Sequence, residues 1–150
     1  MEKQVSIVIL NHGRLGQELI ASAEMIIGEI SNIQAVSLLP GMSIEEFYKA
    51  ADRVILPLKG EIVILTDLFG GTPCNVAMML QQKYNVRILC GMNLPMLIDL
   101  VNTIDMGGYE NMDELIGQVL ETAQTGIYEP PAYEAEEEER EVKIRWQKLN

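Results

Sequence analysis

Aromatic residues and cysteines are scarce in this sequence of 150 residues. Aromatic side chains make up only 5% of the chain, whereas 48% of its residues are hydrophobic and nine are methionines. We therefore expect one domain with a largely aliphatic core. Two cysteines are too few for a disulfide scaffold, and the ligand spacings of a zinc site are missing. We expect no metal and no other cofactor.

Positive charge is also in short supply. Eleven basic residues face 22 acidic ones, which gives a net charge of −11. Such a chain repels nucleic acid and anionic membranes, so we expect neither as a partner. The sequence begins MEKQVSIVIL, and this apolar run is too short for a signal peptide or a membrane span. We therefore expect a cytoplasmic protein with no direct membrane insertion.

Short β-branched runs alternate with longer amphipathic stretches through residues 1–128. The runs predict strands at residues 5–10, 33–38, 61–66 and 85–90. Amphipathic spacing and end signals predict helices at residues 15–27, 43–55, 72–83, from 93 onward, and 111–126. This alternation is typical of parallel strands joined by right-handed crossovers. We predict a doubly wound α/β fold, with a mainly parallel four-stranded sheet in the order 2-1-3-4 and helices on both faces.

The last 22 residues depart from this pattern. Pro130-Pro131 breaks it, and Glu134–Arg140 is a charged, low-complexity segment. Residues 141–146 alternate strictly between charged and apolar types, which predicts a short strand. We therefore divide the chain into a domain at 1–128 and an acidic C-terminal tail at 129–150.

Residues with reactive side chains follow the first and third predicted strands. His12, the only histidine, follows the first strand, and Asp67, Gly70, Gly71 and Thr72 follow the third. A 2-1-3-4 sheet changes chain direction between these strands, and ligands bind in the crevice beyond their carboxyl ends. A carboxylate that accepts a hydrogen bond from one imidazole nitrogen leaves the other as a nucleophile. The order of strands therefore predicts a reactive histidine beside the glycine loop.

The Gly-Gly-Thr-Pro segment opens the third predicted helix, with Thr72 as its N-cap and Pro73 as its first helical residue. Glycine backbone and a helix N-terminus suit a phosphoryl group. The three features of this predicted site also have purely structural interpretations. His12 could be a packed or solvated imidazole, Asp67 could form an Asx turn, and the Gly-Gly-Thr-Pro segment could be a well-capped connection.

Four segments of the chain together form a specific pattern. They read ILNHG at 9–13, AEMIIG at 23–28, TDLFGGTPCN at 66–75 and GMNLPML at 91–97. In this order they resemble the enzyme IIA component of the mannose/fructose/sorbose family, part of the bacterial phosphoenolpyruvate-dependent sugar phosphotransferase system. The resemblance extends over about residues 4–128.

The resemblance implies a phosphoryl carrier. His12 would accept a phosphoryl group from the phosphocarrier protein HPr and pass it to an enzyme IIB on a separate chain. Sugar would then be phosphorylated as it enters through the membrane components IIC and IID. The resemblance also implies that Asp67 orients the imidazole and that Thr72 contacts the phosphoryl oxygens. The chemistry of the loop adds the backbone groups of Gly70 and Gly71 as further contacts.

Two other functions are compatible with this fold. One is a flavodoxin-like module that binds a nucleotide or a flavin, although residues 11–15 lack the Ser/Thr-rich loop that a flavin phosphate needs. The other is a regulatory subunit that resembles a phosphotransferase component, against which the segment at 67–75 argues. The sequence does not indicate which sugar would be transported.

The fourth predicted strand, at 85–90, lies at an apolar edge of the sheet. Exposed edges pair readily with other strands, so a further segment should cover this one. The family resemblance favours a homodimer in which a C-terminal strand lies antiparallel on the edge of the partner subunit. Residues 127–128 and 142–146 are the two candidates for that strand. The alternative is a monomer with a frayed tail.

Overall fold

A computed structural model describes residues 4–132 and 135–149 of the chain. Strands and helices alternate through most of it, as the sequence predicts. The elements are β1 (Val5–His12), α1 (Leu15–Ile27), β2 (Ile33–Leu38), α2 (Ile44–Ile55), β3 (Glu61–Thr66), α3 (Thr72–Gln81), β4 (Val86–Cys90), α4 (Leu94–Met106), α5 (Met112–Thr125) and α6 (Ala135–Leu149).

The four strands form one parallel sheet in the order β2-β1-β3-β4, which confirms the predicted topology. Strand β1 pairs with β2 and β3, and β3 also pairs with β4. The two central strands are buried on both faces, which explains their nearly continuous apolar sequences. Their carboxyl ends lie side by side, because Leu10 of β1 is in register with Thr66 of β3.

The core has two layers because successive residues of β1 and β3 point to opposite faces of the sheet. On one face, helices α1, α4 and α5 cover a buried cluster that includes Ile7, Ile9, Val63, Leu65, Leu97, Leu100 and Leu115. On the other face, helices α2 and α3 cover a cluster that includes Val8, Leu10, Ile62, Ile64, Phe47, Ile55 and Leu80. This confirms the prediction of helices on both faces.

Helix starts follow the sequence signals, with one exception. Ser43 and Glu46 form the predicted capping box of α2, and the Asn111 side chain caps α5. The prediction that Thr72 caps α3 is wrong, because Gly71 is the N-cap and Thr72 is already helical. Pro73 therefore occupies the second helical position, where its missing N–H leaves no intrahelical bond unmade.

The predicted strand at 141–146 is wrong, because these residues lie within helix α6. The physical reason is the charge pattern, which favours a helix more strongly than three apolar residues favour a strand. Acids dominate its start and bases its end, as the helix dipole prefers. A glutamate also precedes a basic residue by four positions at 136/140, 139/143 and 141/145. Residues 127–128 lie in neither a helix nor a strand, and the described residues contain no fifth strand.

Candidate functional site

His12 is the last residue of β1 and lies at the carboxyl edge of the sheet. Its side chain is 48% exposed. Asp67 immediately follows the neighbouring strand β3, so parallel pairing brings the two residues together. The structure thus places the histidine beside the loop after β3, as the predicted strand order requires.

A single oxygen of Asp67 holds both the main chain and the ring of His12. Oδ2 accepts a hydrogen bond of 2.8 Å from the His12 backbone N–H and another of 2.9 Å from the ring atom Nδ1. Because a carboxylate oxygen only accepts, Nδ1 carries a proton, and in the neutral ring Nε2 then keeps its lone pair. The ring is therefore fixed relative to its own backbone, with the nucleophilic nitrogen at its far side.

Gly71 lies against the free side of this ring. A Cβ built at Gly71 would be 3.0 Å from Cε1 of His12 and 3.7 Å from Nε2. The backbone of Gly71 has φ −76°, which any residue adopts, so here glycine provides space rather than an unusual conformation. Gly70 is the opposite case, because it has φ +81° and open space around it. Glycine is therefore suited to position 71 because of the space it leaves, and to position 70 because of its positive φ.

The first turn of α3 adds hydrogen-bond donors to the same place. Its first intrahelical bond runs over 3.0 Å from the N–H of Asn75 to the carbonyl of Gly71. The N–H groups of Thr72 and Cys74 precede that bond, and Pro73 has none. The N–H of Gly71 makes only a long contact of 3.4 Å with the carbonyl of Leu68. A helix start with uncommitted donors and a positive dipole end suits an anion.

Asn11 is a buried residue of the site whose role sequence reasoning did not identify. Its Nδ2 donates to the carbonyl of His12 at 3.1 Å and to that of Gly13 at 3.0 Å. Gly16 packs so closely on the Asn11 amide that a Cβ there would overlap it. The amide thereby fixes the chain immediately after the histidine. The sequence signal that could have identified this role is a polar residue at the end of the apolar run of β1.

Large apolar side chains are exposed in the loops and helix start at this edge of the sheet. Leu68 and Phe69 lie between Asp67 and Gly70, and Phe69 is 76% exposed. Leu15 begins α1, and Leu39 follows β2 at the same edge. Exposed apolar groups around a polar centre are typical of a surface that other proteins contact.

The structure offers no separate metal centre within residues 4–132 and 135–149. There, no three or more His, Cys, Asp or Glu side chains come close enough to hold an ion. Nor does any helix in these ranges have the length and apolar character required to cross a bilayer.

Comparisons with known proteins agree on one family. The family model described as PTS system fructose IIA component matches residues 6–120. A mannose-specific EIIAB component of Escherichia coli is 32% identical over 127 residues, covering 82% of this chain. The chain spans only 38% of that relative's length. A sorbose-specific EIIA component of Lacticaseibacillus casei is 28% identical over 90% of this chain and 99% of its own.

A solved structure gives the same result at the level of the fold. The EIIA phosphotransferase component of Streptococcus agalactiae superposes with a TM-score of 0.76 and is 32% identical in sequence. The match covers 84% of this chain and 97% of that one. Since the family model also matches well over half of its residues, the chain belongs to the enzyme IIA components of the sugar phosphotransferase system, in the mannose/fructose/sorbose family.

Proposed function

We propose that His12 carries a phosphoryl group between two other proteins of the phosphotransferase system. The observation that carries this proposal is the bond between Asp67 Oδ2 and Nδ1–H, which leaves Nε2 as the free nucleophile of an exposed ring. The Nε2 lone pair attacks the phosphorus of a phosphohistidine donor. A new N–P bond forms while the donor's N–P bond breaks, and the donor imidazole leaves. Transfer onward to the acceptor repeats the same exchange in reverse.

Each residue around His12 has a defined part in this proposal. Asp67 holds the ring in one tautomer and stabilises the positive charge that the ring gains during transfer. The Thr72 hydroxyl and the N–H groups at the start of α3 contact the phosphoryl oxygens. Gly71 leaves room for the group beside Nε2, and the backbone of Gly70 adds a further contact. These donors offset the net charge of −11, which opposes an anionic ligand.

We propose the phosphocarrier HPr as the donor and an enzyme IIB as the acceptor. The E. coli relative is named an EIIAB component, so there the two functions share one protein. Sugar would then enter through membrane components IIC and IID. Both partners must present a reactive side chain to the same Nε2. They would therefore use the apolar edge around Phe69 in turn and compete for it, in the cytoplasm.

We also propose that the protein is a homodimer. The exposed residues Ile127 and Tyr128 follow α5 and belong to neither a helix nor a strand. Strand β4 is an edge of the sheet. With residues 142–146 in a helix, residues 127–128 remain as the segment that could extend along the partner's edge. Sedimentation of chains truncated after Ala132 and after Gly126 tests this, because both lack α6 and only the second lacks residues 127–128. A full-length monomer at micromolar concentration would end it.

The central experiment is phosphorylation in a reconstituted system. The full chain is incubated with phosphoenolpyruvate, enzyme I and HPr, and its intact mass is measured. We expect one phosphoryl group that is lost in mild acid and stable in base, as a phosphoramidate is. His12→Ala should abolish it, because the only histidine is then gone. Gly117→Ala, at an open position of α5 outside this edge, is the control and should still be phosphorylated.

Three results would contradict the proposal. A label that persists on the His12→Ala chain would place the phosphoryl group elsewhere. A label that survives mild acid would indicate a serine or threonine ester instead of a phosphohistidine. Co-purifying flavin absorbance without any acid-labile phosphate would favour a nucleotide-binding module.

A further inference from the structure

Helix α6 carries an apolar stripe that the domain does not bury. Val142, Trp146 and Leu149 follow one another at spacings of four and three residues, so they share one face of the helix. All three are exposed, and Trp146 is 65% exposed. Helices of about 15 residues are marginal in water unless an apolar face is packed. The stripe therefore indicates that α6 has a partner.

The charges of α6 are divided between its two halves. Acidic residues occupy positions 136–139 and 141, with Arg140 as the one base among them, and the basic residues Lys143, Arg145 and Lys148 follow. A parallel pair of such helices would set acids along acids and bases along bases. An antiparallel pair would instead set the acidic half of each helix along the basic half of the other. The segment is thus complementary to itself in one orientation only.

We propose that α6 packs antiparallel against α6 of a second copy of this chain. Ala135, Val142 and Leu149 are seven residues apart, and Trp146 adds the intervening coiled-coil position. Glu139 falls at the other intervening position, where a charge weakens packing, so the pairing is weak and reversible. A two-fold axis between the helices makes each charge contact occur twice.

This surface is independent of the phosphoryl site. The family model matches residues 6–120, whereas α6 begins at Ala135, so the pairing is a property of the segment beyond the matched part. An anionic membrane is a poor occupant of the stripe, because the chain carries a net charge of −11. The proposal does not depend on which residue carries a phosphoryl group, or on whether the sheet edges also pair.

Trp146 is the only tryptophan, so its fluorescence reports directly on this helix. The emission of the full chain is recorded from submicromolar to hundreds of micromolar concentration, with acrylamide as a quencher. We expect a blue shift and reduced quenching as the concentration rises, both reversed by high salt. Ile144→Ala is the matched control, because Ile144 lies on the opposite face of the helix and its loss should leave the shift in place.

Charge reversal tests the complementarity. The chain with Lys143→Glu, Arg145→Glu and Lys148→Glu has a helix that is acidic except at Arg140. Its pairing should weaken by about tenfold or more, because symmetry doubles each lost contact. A second chain with Glu136→Lys, Glu138→Lys and Glu139→Lys has a mainly basic helix, and its self-pairing should weaken to a similar extent. An equimolar mixture of the two should recover the blue shift. Failure of the mixture to recover it would overturn the proposal.

The orientation is tested by cross-linking. Chains with Ala135→Cys and with Leu149→Cys are mixed and oxidised, and cross-linked peptides are identified by mass. Antiparallel pairing gives links between 135 and 149, whereas parallel pairing gives 135–135 and 149–149 links, which would contradict the proposal. An emission spectrum that does not change with concentration, or changes only with added lipid vesicles, would overturn it too. Phosphorylation of the same preparations is measured in parallel, so failure of the pairing is distinguishable from failure of the carrier function.

Discussion

Two aspartates in this protein hold other groups in place, but their carboxylate oxygens differ in how fully they are paired. Asp52 of α2 binds Lys83 through both carboxylate oxygens, at 2.9 and 3.1 Å, and accepts a bond of 2.6 Å from the Tyr84 hydroxyl. Asp67 uses Oδ2 for both of its bonds to His12. Its Oδ1 is buried, and within the described residues it has no hydrogen-bond partner.

The difference separates a structural carboxylate from a positioning one. Asp52 is paired with a cation and a hydroxyl, and it links α2 to the segment that follows α3. Asp67 contacts an imidazole ring and a backbone N–H, and no lysine or arginine is paired with it among the described residues. An incompletely compensated buried carboxylate is costly for folding but ready to stabilise a positive charge that appears later. The predictions below test this contrast.

Asp67→Asn should have the largest effect of these substitutions. It keeps the size of the side chain but removes the charge that holds and stabilises the ring. We expect phosphoryl transfer to slow by about 10²- to 10⁴-fold, as for oriented histidines elsewhere, with a much smaller change in unfolding. Rapid-quench transfer and thermal unfolding measure the two effects. Transfer at the full rate would make Asp67 a turn residue like any other.

Gly71→Ala should displace the ring without removing any charge. The added Cβ would be 3.0 Å from Cε1 of His12, so the imidazole must shift by a few tenths of an ångström. We expect transfer to fall by about tenfold, because misplaced reacting groups lose rate steeply. Gly117→Ala, at a helical position with open space, is the control and should transfer normally. Equal activity of the two variants would show that the ring tolerates the contact.

Thr72→Ala should cost about 1 kcal/mol in transfer, or roughly fivefold, because one hydrogen bond to a phosphoryl oxygen is lost. Thr72 makes no capping hydrogen bond in α3, so stability should hardly change. Thr72→Ser keeps the hydroxyl and should retain the rate. A loss of stability with normal transfer would assign Thr72 to the helix start and not to the site.

Asp52→Asn should affect stability alone. The Tyr84 hydroxyl and then Lys83 lower the pKa of the Asp52 carboxyl below its usual value. A lowered pKa stabilises the fold at pH values above the unfolded-state pKa, and this contribution is lost as the pH falls through the folded-state pKa. The wild-type chain should therefore unfold at higher urea concentration than the variant at neutral pH, and the difference should vanish in acid. Glu45→Gln, at an exposed pair with Lys49, is the control. A change in transfer rate would break the contrast between the aspartates.

The fold was predictable because its signals are redundant. Strands β1 and β3 are continuous apolar runs, α2 has a complete capping box, and the alternation of strands and helices leaves few possible topologies. The meeting of His12 with Asp67 follows from that topology. Helix α6 was not predicted, because three alternating apolar residues and a helical charge pattern coincide in one short segment.

Details of the site were beyond prediction, since they depend on distances between segments far apart in sequence. The spacing role of Gly71 is visible only once the His12 ring is placed beside it. The bonds of Asn11 depend on how the chain turns after β1 and on the close approach of Gly16. A sequence shows that such residues are polar or small, but not what they touch.

The two hydrogen bonds that Asp67 Oδ2 accepts from His12 also have a thermodynamic consequence for a carrier. The same oxygen fixes the His12 main chain and ring, so the rotamer is selected when the protein folds rather than when a partner arrives. Loading and unloading would then meet an identical, already ordered imidazole, and neither exchange would spend free energy on rearranging it. The carrier's own phosphoryl-transfer potential would cancel over the two half-reactions, so net flux would run in the direction set by the transfer potentials and phosphorylated fractions of the partners.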